Sequence, residues 1–272
     1  MGTRTLGFIV GLFSVISSAW SQPETAPPLA TLLEEAGVSG CIVLHNLQTQ
    51  HTTVSSPSTC QERSIPASTF KITNLLIALE TEKVQEDAVF PWDGTQHSFK
   101  AWNQDLNLAD AMKVSAVPVF QRIAKRIGLD TMEAWVSRLG YGNQKIGTQV
   151  DRFWLDGPLS ISPVEQAGFM ERVSTGQLPV SKRSFQALKR LMPQEDFNGG
   201  VLYGKTGWGT GATPPVGWYV GWFEKDETLT TFAVRINMPS LKQAPLRISL
   251  AKAALEQRLP MPQHKPLPNG SE

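Results

Sequence analysis

The hydrophobic period of this chain changes twice, and that change restricts the folds open to it. Near the start, Cys41-Ile42-Val43-Leu44 and the stretch 51–55 read as two short strands, turned at Gln48 to Gln50. From Ser68 to about Leu191 the apolar residues recur at three and four positions, as on one face of a helix. The clearest helical pieces are 68–79, 119–127, 131–139, 163–173 and 182–192. After Gly200 the pattern reverts to strands over 201–205, 218–223 and 229–236, where Phe232, Val234 and Ile236 keep a period of two. Helices at 29–36, stopped by Gly37, and at 246–259 flank the two strand groups. Strands at both ends with helices between them predict an α/β chain of the α+β kind. One central antiparallel sheet joins early and late strands, flanking helices pack on it, and an all-helical lobe occupies roughly residues 80–195. A cleft between lobe and sheet is the natural place for a site.

The ends and the charge narrow the function. Arg4, the apolar run from Leu6 to Ile16, and the small residues Ser17, Ser18, Ala19 and Ser21 form the three-part pattern of a secretory signal peptide. Residues 1–21 therefore read as a signal, cleaved after Ala19 or Ser21, and 22–272 as a single catalytic domain that is exported and periplasmic. An uncleaved anchor is the competing reading. No later stretch approaches the length of a membrane span. The net charge of +1 offers no basic field for a nucleic acid. Cys41 and Cys60 can pair in an oxidising compartment, where a loop of this size would stabilise by about 3 kcal/mol; two buried free thiols are the alternative. Two cysteines and four scattered histidines make no metal site.

Ser68 and Lys71 carry the chemistry that spacing alone can suggest. Three residues apart at the start of the 68–79 helix, they share a face, placing a nucleophile beside a base near a positive helix end. A charged ammonium cannot take a proton, so the lysine needs an apolar pocket to lower its pKa; Phe70, Val117, Trp154 and Leu155 are candidates to line it. Other stretches stay ambiguous when taken singly. Ser115, before Val117-Pro118, is also good helix N-cap material, Tyr141-Gly142-Asn143 suits any turn, and Trp154 suits any core.

Taken in order, Ser68-Thr69-Phe70-Lys71, Ser115-Ala116-Val117, Tyr141-Gly142-Asn143 and Lys205-Thr206-Gly207 resemble the penicillin-recognising serine enzymes. Tyr141-Gly142-Asn143, the segment from Phe153 to Leu159, and Gly217-Trp218-Tyr219-Val220-Gly221-Trp222 resemble the class D serine β-lactamases, the oxacillinase type. The resemblance runs from about Gly37 to Leu259. It implies the β-lactamase and penicillin-binding-protein transpeptidase-like fold, β-lactam antibiotics as partners, and no cofactor beyond carbon dioxide or bicarbonate. It also implies roles. Ser68 forms an acyl-enzyme, and Lys71 is an N6-carboxylysine acting as general base, its carbamate supported by the indole of Trp154. Ser115 and Lys205 serve proton transfer and charge. Val117, Leu155, Thr206, Gly207 and Trp208 line the substrate site, and Arg247 anchors the substrate carboxylate. The oxyanion hole falls to the N–H groups of Ser68 and Trp208, while Tyr141 and Asn143 are architectural. The stretch 209–216 carries no charge, which leaves the range of β-lactams open. The alternative function on the same motifs is an exported sensor or penicillin-binding protein that is acylated but not turned over.

Overall fold

The computed structural model describes residues 23–258. The expected signal segment, Leu259 and the proline-rich tail lie outside the described residues. The chain opens with strand β1 (Glu24–Thr25) and helix α1 (Pro27–Glu35), followed by strands β2 (Gly40–Asn46) and β3 (His51–Val54). A 3-10 turn over Ala67–Phe70 runs directly into α2 (Lys71–Glu80). Two short strands, β4 (Val89–Phe90) and β5 (Leu106–Asn107), pair with each other below the helices α3 (Leu108–Lys113), α4 (Val117–Ile127) and α5 (Leu129–Leu139). Helices α6 (Pro163–Ser174) and α7 (Lys182–Leu191) precede β6 (Gln194–Phe197), β7 (Gly200–Gly209), β8 (Val216–Lys225), β9 (Thr228–Asn237) and the last helix, α8 (Ala244–Arg258).

The central sheet has seven strands in the order β1-β3-β2-β9-β8-β7-β6. The expected joint between early and late strands is β2 against β9, antiparallel from Gly40 opposite Ile236 to Asn46 opposite Thr230. The sheet is not wholly antiparallel, because β1 runs parallel to β3; helix α1 and strand β2 intervene between them and reverse the chain direction. Strand β6 escapes the periodic reading because Gln194-Glu195-Asp196 has no apolar alternation. It is an exposed edge, and charge is what keeps such an edge from pairing further.

Both sheet faces are covered, which explains the unbroken apolar run in β2. Ile42 and Leu44 join Leu29, Leu33, Phe232, Val234, Leu250 and Ala254 in a core beneath α1 and α8. Cys41 and Val43 point the other way, into the larger core with Phe70, Leu75, Phe120, Trp154, Trp218 and Val220. Helix α6 also lies on this second face, where the Thr231 hydroxyl donates to the Ala167 carbonyl at 3.1 Å. Its start is secured by a capping box: the Glu165 N–H donates to Ser162 Oγ at 3.2 Å, and the Ser162 N–H to the Glu165 carboxylate at 2.8 Å. Cys41 and Cys60 are joined in a disulfide, which ties β2 to the segment leading into Ser68. Among the described residues no helix is long and apolar enough to cross a membrane.

Candidate active site

The sequence places Ser68 in the first turn of a helix over 68–79; the structure puts it one step earlier, in the 3-10 turn, and α2 begins at Lys71. Ala67 explains the difference. Its φ of 49° is left-handed, so the chain arrives at Ser68 through a sharp bend rather than along a helix axis. That bend is buried, Ala67 completely, and held from two sides. The Ala67 N–H donates to the Trp154 carbonyl at 2.9 Å, and the Thr69 N–H and hydroxyl both donate to the Pro66 carbonyl, at 3.2 and 2.7 Å. In a 3-10 turn residues i and i+3 eclipse, which brings the Ser68 and Lys71 side chains together. Lys71 Nζ lies 2.6 Å from Ser68 Oγ.

Lys71 is 0% exposed. Burial, reinforced by the nearby Lys205 charge, holds its pKa well below the usual lysine range, which shifts the balance from the ammonium toward the neutral amine. The walls of its pocket are aromatic. Nζ stands 5.4 Å from the centre of the Phe120 ring, and Phe70, next to Lys71 in the chain, stacks on Trp154 at 5.6 Å. Phe120, on α4, was not among the expected pocket residues. Val117 and Leu155, which were, are only half-buried. Trp154 is fully buried, and its indole Nε1 has no hydrogen-bond partner among the described residues. An orphaned buried donor beside the lysine's helix is a cost that an added acceptor would remove.

Ser115 is not a helix cap. The cap position of α4 belongs to Ala116, while Ser115 adopts a left-handed backbone with φ 57°. Its hydroxyl instead accepts from Lys205 Nζ at 3.0 Å. Lys205 is 1% exposed and also donates to the Thr206 carbonyl at 3.0 Å; burial, then the Arg247 charge, lowers its pKa to about 7. The strand carrying Lys205-Thr206-Gly207 passes directly beside the Ser68 turn. A Cβ built on Gly207 would stand 3.1 Å from the Pro66 carbonyl oxygen and 3.3 Å from the Ser68 nitrogen, so glycine permits the approach of β7 to the turn. Trp208, half-buried, follows on the same strand, its indole donating to the Met238 carbonyl at 3.0 Å. Arg247 reaches this strand from α8, but through backbone: Nη1 donates to the Gly207 carbonyl at 2.5 Å and Nε to the Ala244 carbonyl at 2.9 Å. Burial lowers its pKa to about 10, still charged at neutral pH.

Tyr141-Gly142-Asn143 buttresses the loop that follows Trp154. Asn143 Nδ2 donates to the Pro158 carbonyl at 2.9 Å, and its Oδ1 accepts from the Ser160 N–H at 3.1 Å. Gly142, at φ 54°, lies so close to the Ser160 carbonyl that a Cβ would be 2.2 Å away. One buried polar residue of this neighbourhood went unread in the sequence. Gln166 is 0% exposed on α6, and its Nε2 lies 2.8 Å from Thr69 Oγ1 and 3.1 Å from the Tyr141 hydroxyl. Its signal was available: an amide at 166 on the same stripe as Met170 and Val173, both buried, is a polar side chain on a core face. No group of three or more His, Cys, Asp or Glu among the described residues could hold a metal ion.

The site thus assembles a hydroxyl, a desolvated amine, a second hydroxyl with its own lysine, a buried arginine and a strand backbone about one bend. Acyl transfer needs these groups. The penicillin binding protein transpeptidase domain matches residues 40–256 of the chain. Over 224 residues the chain is 38% identical to Beta-lactamase OXA-48 of Klebsiella pneumoniae, covering 82% of this chain and 84% of the relative. The solved class D β-lactamase YbXI from Nostoc superposes with a TM-score of 0.81 at 37% identity, covering 84% of this chain and 97% of that one. The regulatory protein BlaR1 of Bacillus licheniformis is 33% identical over 209 residues, which are 76% of this chain but 35% of that protein. With that match to the transpeptidase domain and class D β-lactamases among its relatives at 37–38% identity, the chain belongs to the class D serine β-lactamases.

Proposed function

We propose that this chain, exported by its N-terminal segment, hydrolyses the β-lactam ring of penicillin-type antibiotics through a Ser68 acyl-enzyme, and so confers resistance. The observation that carries the reading is the fully buried Lys71 amine 2.6 Å from Ser68 Oγ, with its pKa held well below the ordinary range. A neutral buried amine can add carbon dioxide, and the orphaned Trp154 indole is a donor suited to the resulting carbamate. Carboxylation of Lys71 would supply a carboxylate-like general base where the amine now meets the serine.

The remaining work falls to the chain's own groups. Ser68 Oγ loses its proton toward the Lys71 side chain as it attacks the lactam carbonyl carbon. The N–H groups of Ser68 and Trp208 receive the negative charge that develops on the carbonyl oxygen; one such donor is worth a few kcal/mol of barrier, roughly 3–4. The ring C–N bond then breaks, and the departing nitrogen takes a proton through Ser115, whose hydroxyl Lys205 holds at 3.0 Å. Arg247, Thr206 and Gly207 retain the substrate carboxylate, and Val117 and Leu155 bound the cleft. Water attacks the Ser68 ester, its proton passing to the Lys71 side and from there to Ser68 Oγ as the C–O bond breaks, and the ring-opened acid leaves.

Steady-state hydrolysis of a penicillin and of a chromogenic β-lactam, with and without bicarbonate, tests this directly. Turnover that rises with bicarbonate is expected; no turnover at any bicarbonate concentration sinks the proposal. The similarity to a regulatory protein gives the alternative a definite form. A penicillin adduct on Ser68 that persists in the mass spectrum for hours, without product, would make the chain a sensor instead.

A further inference from the structure

We propose that Gln166 is a positioning residue for acylation: its side-chain amide holds the Thr69 hydroxyl, and through it the Pro66–Ala67–Ser68 bend, so that the Ser68 N–H meets the developing oxyanion. The proposal rests on the acyl-enzyme reading above. Three observations lead to it. The bend is strained at its centre, because Ala67 is a non-glycine residue at φ 49° in a fully buried site. Left-handed backbone of this kind persists only where neighbouring groups over-determine it. The Thr69 hydroxyl supplies one such constraint. Its proton goes to the Pro66 carbonyl at 2.7 Å, closing the bend, and its oxygen then faces Gln166 Nε2 at 2.8 Å.

Gln166 is also where two structural units meet. The same Nε2 lies 3.1 Å from the Tyr141 hydroxyl, in the turn whose Asn143 braces the loop after Trp154. Burial pushes the Tyr141 phenol up, so it stays protonated and uncharged against the amide. One amide on α6 therefore links the serine's bend to the turn that supports its far wall. Only half of the amide is used: Nε2 makes both bonds, while Gln166 Oε1 is buried with no partner among the described residues. An apolar side chain of similar length would take a donor from the buried Thr69 and Tyr141 hydroxyls and relieve the Oε1 orphan, so the two effects on stability partly offset.

The test is Gln166→Met in the full mature chain, with acylation by a chromogenic cephalosporin followed by rapid-quench mass spectrometry. Acylation should slow by roughly 10- to 100-fold, the range for a misplaced reacting geometry. The melting temperature should stay within about 3 °C, and the bicarbonate concentration for half-maximal activity within about twofold, because Lys71 is untouched. Thr69→Val should reproduce the loss and Thr69→Ser should restore it. The double variant Gln166→Met with Thr69→Val should be no slower than the slower single one, since both break one link. Acylation of Gln166→Met within twofold of the parent overturns the proposal, as does a bicarbonate requirement that moves with the rate. Should Gln166→Met not fold, equal acylation by Thr69→Val and Thr69→Ser overturns it alone. A parent chain that never forms the Ser68 adduct refutes the acyl-enzyme reading instead, and is seen in the same spectra.

Discussion

Replacing Trp154 by phenylalanine isolates one hydrogen bond. The indole packs against Phe70 and Phe153, with ring centres 5.6 and 5.0 Å away, so a phenyl ring keeps most of the aromatic contact. What disappears is the Nε1 donor, buried and without a partner among the described residues. Two effects then act in the same direction on Lys71 carboxylation. The carboxylated state loses a bond to a charged acceptor, worth about 1.5–3 kcal/mol, and the uncarboxylated state is relieved of an unsatisfied donor. At about 1.4 kcal/mol per decade, the first effect alone raises the bicarbonate needed for half-maximal activity by roughly 10- to 150-fold. The assay is a bicarbonate titration of β-lactam hydrolysis, paired with carbon-13 NMR of the protein in labelled bicarbonate. The smaller ring leaves some space and lowers stability by about 1–3 kcal/mol, so both measurements belong well below the melting temperature. A half-saturating concentration within threefold of the parent, with the carbamate resonance intact, would refute the assignment of Trp154 as carbamate partner.

Lys71→Met should abolish turnover yet leave the protein as stable as the parent or more so without bicarbonate, since a desolvated amine is removed. The sign follows from linkage: the folded-state pKa is depressed, so between it and the ordinary lysine value the unfolded chain holds the extra proton, and stability rises with pH across that window. Thermal melts from pH 6 to 10 should therefore slope upward for the parent more than for the variant, and identical slopes would contradict the buried-amine argument. Opening the disulfide by the paired change Cys41→Ser and Cys60→Ser should cost about 3 kcal/mol for a separation of 19 residues, read as an earlier urea midpoint; an unchanged midpoint counts against it. Arg247→Ala should raise KM by about tenfold or more and erase any preference for a penicillin acid over its methyl ester, because the guanidinium is the proposed carboxylate anchor. An undiminished preference would return Arg247 to a purely structural role on the Gly207 carbonyl.

What could be read beforehand divides by how the chemistry is carried in the chain. Ser68 and Lys71 lie three residues apart on one turn, so spacing alone brings them together, and only the shape of that turn was off. The strands β2 and β9 announced themselves because each must bury side chains, and a buried strand has no freedom to be polar. The pairing of Ser115 with Lys205, 90 residues apart, could be expected only from a resemblance, and Gln166 with Thr69, 97 residues apart, had no such guide. Strand β6 was silent for a different reason: an edge is stabilised by its neighbour's backbone and protected by charge, so its side chains carry no period. Conformation at single residues was equally silent. Nothing in Pro66-Ala67-Ser68 predicts a left-handed alanine, because such a conformation is imposed from outside, by the Trp154 carbonyl on one side and the closed Thr69 bond on the other. Among the described residues seven non-glycine positions have positive φ, and two of them, Ala67 and Ser115, lie at the reacting groups. Local preference yields where the surrounding structure must aim an N–H or a hydroxyl, and at such positions a sequence-level rule is expected to fail.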